Sequence, residues 1–402
     1  MMKFIRQELK NLKSPLYRNS IYISASSMIT AVAGFIFWNV AARLYSPEDV
    51  GVASALVSAI NLVFTVSLLG LNFSLIRFYP EYRERAVGSS LILALAASVV
   101  ASTAYVLVMG KSDSLGKLFS FKFLLLFVLF SMTGTAYNVL STYAIVKRKA
   151  EHSFVQSILF SLRFLFLFAL VSLGALGIVS AFGLGLALGV LYGIIAVDGI
   201  RFKPDVEYLK SSLKFSLGNY VASLANSAPN YLMPTLILTM LGKEETAYFY
   251  IAFAVGNLIL FVPNAINTSF FVEGSYGLKD MRRTLKKAVA FSYLYLTAAT
   301  VFVWLFGGLI LRFFGEEYVN GLKLLRLMVL GGFFVVPVNF SISVLNIGKR
   351  VREVVGINVL KAVLFLGLSY LLVPKLGIEG VGIGLIIAQV LGMFCAILFL
   401  LI

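Results

Sequence analysis

The sequence predicts an all-α polytopic membrane protein of about twelve transmembrane helices, arranged as two six-helix bundles related by pseudo-twofold symmetry. Three observations carry that prediction. Of 402 residues, 60% are hydrophobic and only 13% charged, about half the charged share of a soluble domain. Apolar runs of the roughly 20 residues that a spanning helix needs follow one another with short charged breaks between them. The stretch AARLYSPEDVG at 41–51 is echoed by LTMLGKEETAY at 237–247.

Taken in order, Met2, Ile5, Leu9, Leu12 and Leu16 recur at steps of three and four among Lys, Arg and Glu. That spacing predicts an interfacial amphipathic helix over 1–18. Six spans then form an N-terminal lobe over 19–200, near 19–42, 50–75, 87–110, 121–146, 153–174 and 178–200. A cytoplasmic linker over 201–214, mildly amphipathic through Val206, Leu209 and Leu213, leads to a C-terminal lobe over 215–402. Its spans lie near 214–241, 246–271, 288–313, 322–346, 354–374 and 379–402. The first apolar run is too long for a cleavable signal peptide and no small-residue cleavage site follows it. Cys395 is the one cysteine, so no internal disulfide forms.

Orientation follows from the basic residues, which favour cytoplasmic loops. With the N-terminus inside, 23 Lys and Arg fall in the cytoplasm and 7 outside, while Arg163, Lys323, Arg326 and Lys361 lie within or near spans. The expected location is therefore the cytoplasmic (plasma) membrane, multi-pass, with both termini cytoplasmic. The net charge of +16 is explained by this insertion signal and by attraction to anionic lipid, and calls for no nucleic acid.

A shift of 196 residues superposes the two echoing turns without a gap. It pairs Arg18 with Lys214, Ser20 with Ser216, Ser27 with Ser223, Glu48 with Glu244, Asp49 with Glu245 and Asn61 with Asn257. Polar matches carry weight because polar residues are scarce in spans. Six spans per half is an even number, so the halves share one orientation. Parallel repeats of that kind are an architecture of alternating-access carriers, with a site near the midplane.

Polar residues inside the spans are the candidate lining of such a site. Ser216, Asn219, Ser223, Asn226 and Asn230 share one helical face, as do Ser54, Ser58, Asn61 and Thr65. They either line a wet cavity or act as hydrogen-bonding glue between helices. Pro229, Pro234, Pro263 and Pro337 interrupt spans of the second half, whereas Pro47 and Pro80 sit at span ends. Asp and Glu keep away from the middle of every span. Arg163 and Lys361 lie well inside the fifth and eleventh spans, where an unpartnered cation costs several kcal/mol. They either bond neighbouring carbonyls or make a lumen suited to an anion.

VAARLYSPEDVG, LLGLNFSLIRFYPEYRE, ILRFFGEEYVNGLKLLRLM and PKLGIEGVGIG resemble segments of the polysaccharide (O-antigen type) flippases. These belong to the multidrug/oligosaccharidyl-lipid/polysaccharide exporter superfamily. The resemblance implies a V-shaped, alternating-access carrier that moves a polyprenyl diphosphate-linked oligosaccharide between leaflets. Its partners would be that lipid-linked oligosaccharide, the lipid bilayer and other polysaccharide-assembly membrane proteins. In this scheme Arg163 and Lys361 attract the diphosphate, while Asn61, Asn219, Asn226, Asn230 and Asn257 hydrogen-bond sugar hydroxyls.

Two other classes compete. A cation-coupled multidrug antiporter of the same superfamily would want a titratable carboxylate within a span. A membrane glycosyltransferase would place an acidic pair in an outer loop, and Glu48 with Asp49 has that form; the loops are too short for an acceptor site, and the pair suits the positive end of a helix. No P-loop, metal-ligand cluster or nucleophile–base pair is present, and His152 is the one histidine. The expectation is a transporter with no cofactor, no metal and no catalytic residues.

Overall fold

The computed structural model describes residues 15–110, 121–196, 199, 202, 204–275, 277 and 280–401. The amphipathic helix expected over 1–18 lies almost wholly outside the described residues, as do 201 and 203 of the linker. The first half contains α1 (Pro15–Leu44), α2 (Pro47–Ser67), α3 (Leu71–Tyr82), α4 (Glu84–Met109), α5 (Phe121–Val146), α6 (Ala150–Ser161), α7 (Arg163–Ala169) and α8 (Ala175–Ala196). The second contains α9 (Val206–Leu241), α10 (Lys243–Ser275), α11 (Met281–Arg312), α12 (Leu322–Ile347), α13 (Val351–Leu376) and α14 (Glu379–Leu401). No strand occurs among the described residues. The fold is the all-α, polytopic one that the composition required.

Among the described residues, eleven segments are long and apolar enough to cross a membrane, with α2 and α3 forming one and α6 and α7 another. The remaining predicted crossing lies in α9. At 36 residues, about 54 Å, it is the longest helix described, yet its Ser, Asn and Pro content leaves it outside the apolar set.

The helices pack as two units, Met1–Leu44 with Ala59–Tyr220, and Tyr45–Ser58 with Val221–Ile402. Thus α2 and α9 each contribute their two ends to different units. In the first unit α1 packs on α6, α4 on α5, and α5 and α6 on α8. In the second, α10 and α11 pack on α12, and α12 and α13 pack on α14. A cluster around Leu71, Leu75, Tyr79, Val87, Tyr143 and Tyr208 forms a core of the first unit, and one around Leu260, Phe270, Leu296, Val336 and Phe340 a core of the second.

The repeat is visible in the backbone. Pro47 and Lys243, 196 positions apart, both open a helix with an acidic pair in its first turn. Further along, Arg148 and Lys349 adopt φ of 59° and 58°, although neither is glycine. Lys149 N–H then donates to the Ala144 carbonyl at 3.0 Å, and Arg350 N–H to the Leu345 carbonyl at 2.9 Å. One turn has been built twice, 201 residues apart. Gly174 and Gly377 likewise share a conformation, φ/ψ of 56°/−136° and 63°/−151°, that is open almost only to glycine. The structural junction of the first half is therefore Gly174, whereas aligning the stretch LGALGI with PKLGIE by sequence, at a shift of 200, pairs Gly177 with Gly377.

Within the second unit the echoing turns touch. A Cβ on Gly51 would stand 1.8 Å from the Lys243 carbonyl oxygen, so only glycine admits this approach. Lys243 Nζ and Glu48 Oε2 form an exposed ion pair at 3.4 Å. Ser46 Oγ accepts from Asp49 N–H at 3.1 Å and donates to Asp49 Oδ2 at 2.8 Å, an N-cap that satisfies the start of α2. Glu48 and Asp49 thus serve the turn.

Helix interruptions differ between the halves. The predicted second span breaks between α2 and α3, where Leu69 and Gly70 take φ of 48° and 73°. A Cβ on Gly70 would lie 2.8 Å from Ser216 Cβ, so α9 packs directly against the break. Tyr220 Oη donates to the Val66 carbonyl at 2.8 Å, supplying a partner at the end of α2. In the second half Pro337 lacks the N–H that would meet the Phe333 carbonyl. Tyr293 Oη donates to that carbonyl at 3.1 Å. This is how a membrane helix tolerates a proline.

Gly70→Ala should therefore destabilise the folded protein by about 1–3 kcal/mol through backbone strain and the clash with α9, and Tyr293→Phe by about 1 kcal/mol through the orphaned carbonyl. Thermal unfolding of the purified variants in one detergent checks both; wild-type melting by Gly70→Ala would contradict the close packing at Ser216.

Candidate functional site

The polar face predicted on α9 divides in the structure. Ser216 is fully buried, its hydroxyl sharing a short hydrogen bond with Ser74 Oγ, which also donates to the Ser212 carbonyl at 3.1 Å. Nearby, Tyr208 Oη and Ser90 Oγ bond at 2.7 Å, Asp205 N–H donates to Ser89 Oγ at 2.8 Å, and Arg85 pairs with Asp205 at 3.3 Å. This end of α9 is fastened to α3 and α4 by hydrogen bonds, so here the glue role holds. Farther along the same helix Asn226 and Asn230 are exposed. The Asn219 side chain lies outside the described residues.

Asn257 is exposed on α10, whereas Asn61, its repeat partner on α2, is half-buried, its own carbonyl accepting from Thr65 Oγ1 at 2.7 Å. Asn226, Asn230 and Asn257 all belong to the second unit. An amide side chain facing hydrocarbon loses several kcal/mol of hydration. Exposed amides along spanning helices are therefore costly against lipid.

The two intramembrane cations are buried, each in its own unit. Arg163 opens α7 at the break after α6 and is 4% exposed. Its Nη1 donates to the Phe160 carbonyl at 3.1 Å, and its guanidinium carbon lies 3.9 Å from the Phe160 ring centroid and 5.2 Å from that of Phe37. Cation–π contact of this kind stabilises a charge removed from water. Gly34 and Gly185 leave room for it, since a Cβ on Gly34 would touch Nη2 at 3.6 Å and one on Gly185 would press on the Arg163 Cβ at 2.6 Å. Lys361 on α13 is 9% exposed, its stem lying against Gly392 of α14. Among the described residues it forms no salt bridge. Arg163 precedes Gly174 by 11 residues and Lys361 precedes Gly377 by 16, so the two cations do not occupy equivalent positions of the repeat.

Carboxylates follow a strict rule. Every described Asp and Glu lies in a loop or within three residues of a helix end.

Sequence reasoning missed a second amide group. Asn339 Nδ2 on α12 donates to Asn264 Oδ1 on α10 at 2.9 Å, and Ser343 Oγ donates to Asn267 Oδ1 at 2.9 Å. The available signal was helical: Asn264 follows Asn257 by seven residues and so shares its face. Their pairing across helices is a tertiary fact.

The sequence pattern of the family described as "Polysaccharide biosynthesis protein" matches residues 16–271. The chain belongs to that family. A Shigella flexneri protein assigned as an O-antigen transporter is 22% identical over 228 residues, covering 55% of this chain and 54% of the relative. The alignment thus spans about half of that relative's length. Among solved structures, the lipid II flippase MurJ in an inward closed conformation matches with a TM-score of 0.77 at 14% identity, over 95% of this chain and 88% of that one. An inward-facing multidrug resistance MATE family transporter of the MOP superfamily matches with a TM-score of 0.70 at 16% identity, over 94% and 96%. At such identities these likenesses establish the fold, which is that of the superfamily's transporters.

If the exposed amides meet water, single cysteines replacing Asn226, Asn230 or Asn257, with Cys395→Ser as background, should react with a charged methanethiosulfonate reagent in membranes. Cysteines replacing Ser74 or Ser216 should remain unlabelled. Silence at all three Asn positions would place that face against lipid.

Proposed function

We propose that this family member is a flippase that carries a polyprenyl diphosphate-linked oligosaccharide across the cytoplasmic membrane for cell-surface polysaccharide assembly. The observation that carries this reading is the exposed Asn226, Asn230 and Asn257 on spanning helices, in a chain whose family is that of polysaccharide biosynthesis. The likeness to an O-antigen transporter and to a lipid II flippase supports it.

The physics of the cargo fits. A sugar headgroup with its diphosphate cannot cross hydrocarbon uncovered, while the lipid tail never has to leave it. A polar face that shelters the headgroup is sufficient, and no bond is broken. In this scheme Asn61, Asn219, Asn226, Asn230 and Asn257 exchange hydrogen bonds with sugar hydroxyls, since an amide both donates and accepts. An interior-negative potential favours outward movement of two negative charges by roughly 4–5 kcal/mol per 100 mV.

Arg163 and Lys361 act on the diphosphate through their field, because burial keeps them from meeting it directly. At an effective dielectric of about 20, one cation about 10 Å from a doubly charged diphosphate contributes roughly 3 kcal/mol. Confinement of the described carboxylates to helix ends and loops leaves that positive field unopposed and disfavours a cationic drug as cargo.

Complementation of a flippase-deficient strain, with lipid-linked glycan followed on each leaflet, tests the scheme. Arg163→Met fills the aromatic cage without the charge; it should reach the membrane in normal amount and transport at least tenfold more slowly. Arg163→Lys should recover part of the activity, since the charge returns without the planar guanidinium that the cage holds. Wild-type transport by the Met variant would leave Arg163 with a packing role.

The same scheme places both termini in the cytoplasm. In the Cys395→Ser background, cysteines at Ser46 or Lys243 should react with an impermeant reagent on whole cells, and those at Arg83, Asp205 or Thr284 should not. The opposite pattern would invert the protein and the direction assigned to it.

A further inference from the structure

Four residues of α10, Asn257, Phe261, Asn264 and Thr268, follow steps of three and four and are all exposed, Phe261 at 46%. They share one face of a membrane-spanning helix. Asn264 stands nine residues, about 14 Å of helix, from Glu273 at the nearer end. Across from it on α12, Asn339 holds the Asn264 amide by the 2.9 Å bond described above. Behind them the Ser343–Asn267 bond at 2.9 Å fixes the next turn. The Asn264–Asn339 pair uses one donor and one acceptor, so each amide keeps hydrogen-bonding capacity for another molecule. No side chain from 257 to 272 carries a charge.

We infer that this face is the sugar-recognition subsite of the transporter, an inference that rests on the flippase reading above. The chemistry selects the ligand. A hydroxyl donates and accepts at once, and the paired amides present both functions side by side, held by each other rather than by water. Phe261 adds an apolar plane of the kind that receives the C–H face of a pyranose ring. A diphosphate would require cations here, and a cationic drug would require a carboxylate or a richer aromatic wall. A sugar of the headgroup is therefore read by Asn264, Asn339 and Phe261, with Asn267 and Ser343 as positioning residues.

The test compares two probes on the purified full-length protein in nanodiscs: a polyprenyl diphosphate bearing one N-acetylglucosamine, and the same lipid diphosphate without sugar. Wild type should bind the sugar-bearing lipid at least tenfold more tightly. Asn264→Leu and Asn339→Leu should each erase most of that preference, and Phe261→Ala should reduce it severalfold, while Phe261→Trp retains it. Affinity for the bare lipid diphosphate should stay within about twofold throughout. Should either Leu variant fail to yield monodisperse protein, the two Phe261 variants decide. Equal binding of the two lipids by wild type, or preference unmoved in the variants, would overturn the subsite and leave the flippase reading standing. A Leu variant that alters oligomeric state while keeping the preference would assign the face to helix association. Binding of neither lipid by wild type would overturn the flippase reading, and the subsite with it.

Discussion

A bilayer offers no water to an unpaired backbone amide or carbonyl, and the architecture follows from that constraint. Helices satisfy their own ladders, so each apolar stretch folds as one, and the points where a ladder is interrupted need a named repair. At the Leu69–Gly70 break the Tyr220 hydroxyl reaches the Val66 carbonyl. At Pro337 the Tyr293 hydroxyl takes the Phe333 carbonyl. Both tyrosines come from a different helix than the one they repair.

The two halves share a plan and differ in how they depart from it. Turns at Arg148 and Lys349 repeat the same left-handed residue and the same closing hydrogen bond, and Gly174 and Gly377 repeat the same helix-terminating conformation. Away from these fixed points the first half breaks its second span at the Leu69–Gly70 turn, whereas the second half carries Pro229, Pro234, Pro263 and Pro337 inside continuous helices. The first end of α9 is fastened to α3 and α4 through serine and tyrosine hydroxyls, and its second end belongs to the other unit. One helix therefore carries buried, hydrogen-bonded hydroxyls near its first end and exposed amides farther along.

Charge is sorted just as strictly. Carboxylates occupy helix ends and loops, where water or a helix N-terminus stabilises them. The two buried cations are not equivalent: Arg163 is held by a carbonyl and the faces of Phe37 and Phe160, whereas Lys361 lies along glycine in the α13–α14 pair. A guanidinium suits the aromatic cage because it is planar and weakly hydrated, and an ammonium does not. Arg163 is thereby held between that carbonyl and the two rings.

By itself the sequence determined the class, the run of spans, the repeat and the exclusion of carboxylates from the bilayer. Each rests on composition or period, which a single chain displays directly. That Glu48 and Asp49 in AARLYSPEDVG suit the positive end of a helix was legible for the same reason, because capping is local, whereas Ser46 as the N-cap came from the structure. Only the tertiary structure decided that Ser216 is adhesive while Asn226 and Asn230 on the same helix are exposed, since burial depends on which neighbour arrives. It decided that Gly174, and not Gly177, matches Gly377, because two glycines three residues apart differ in φ and not in letter. It also paired Asn264 with Asn339 across two helices. A helical period names the residues on a face, and packing alone says what that face meets.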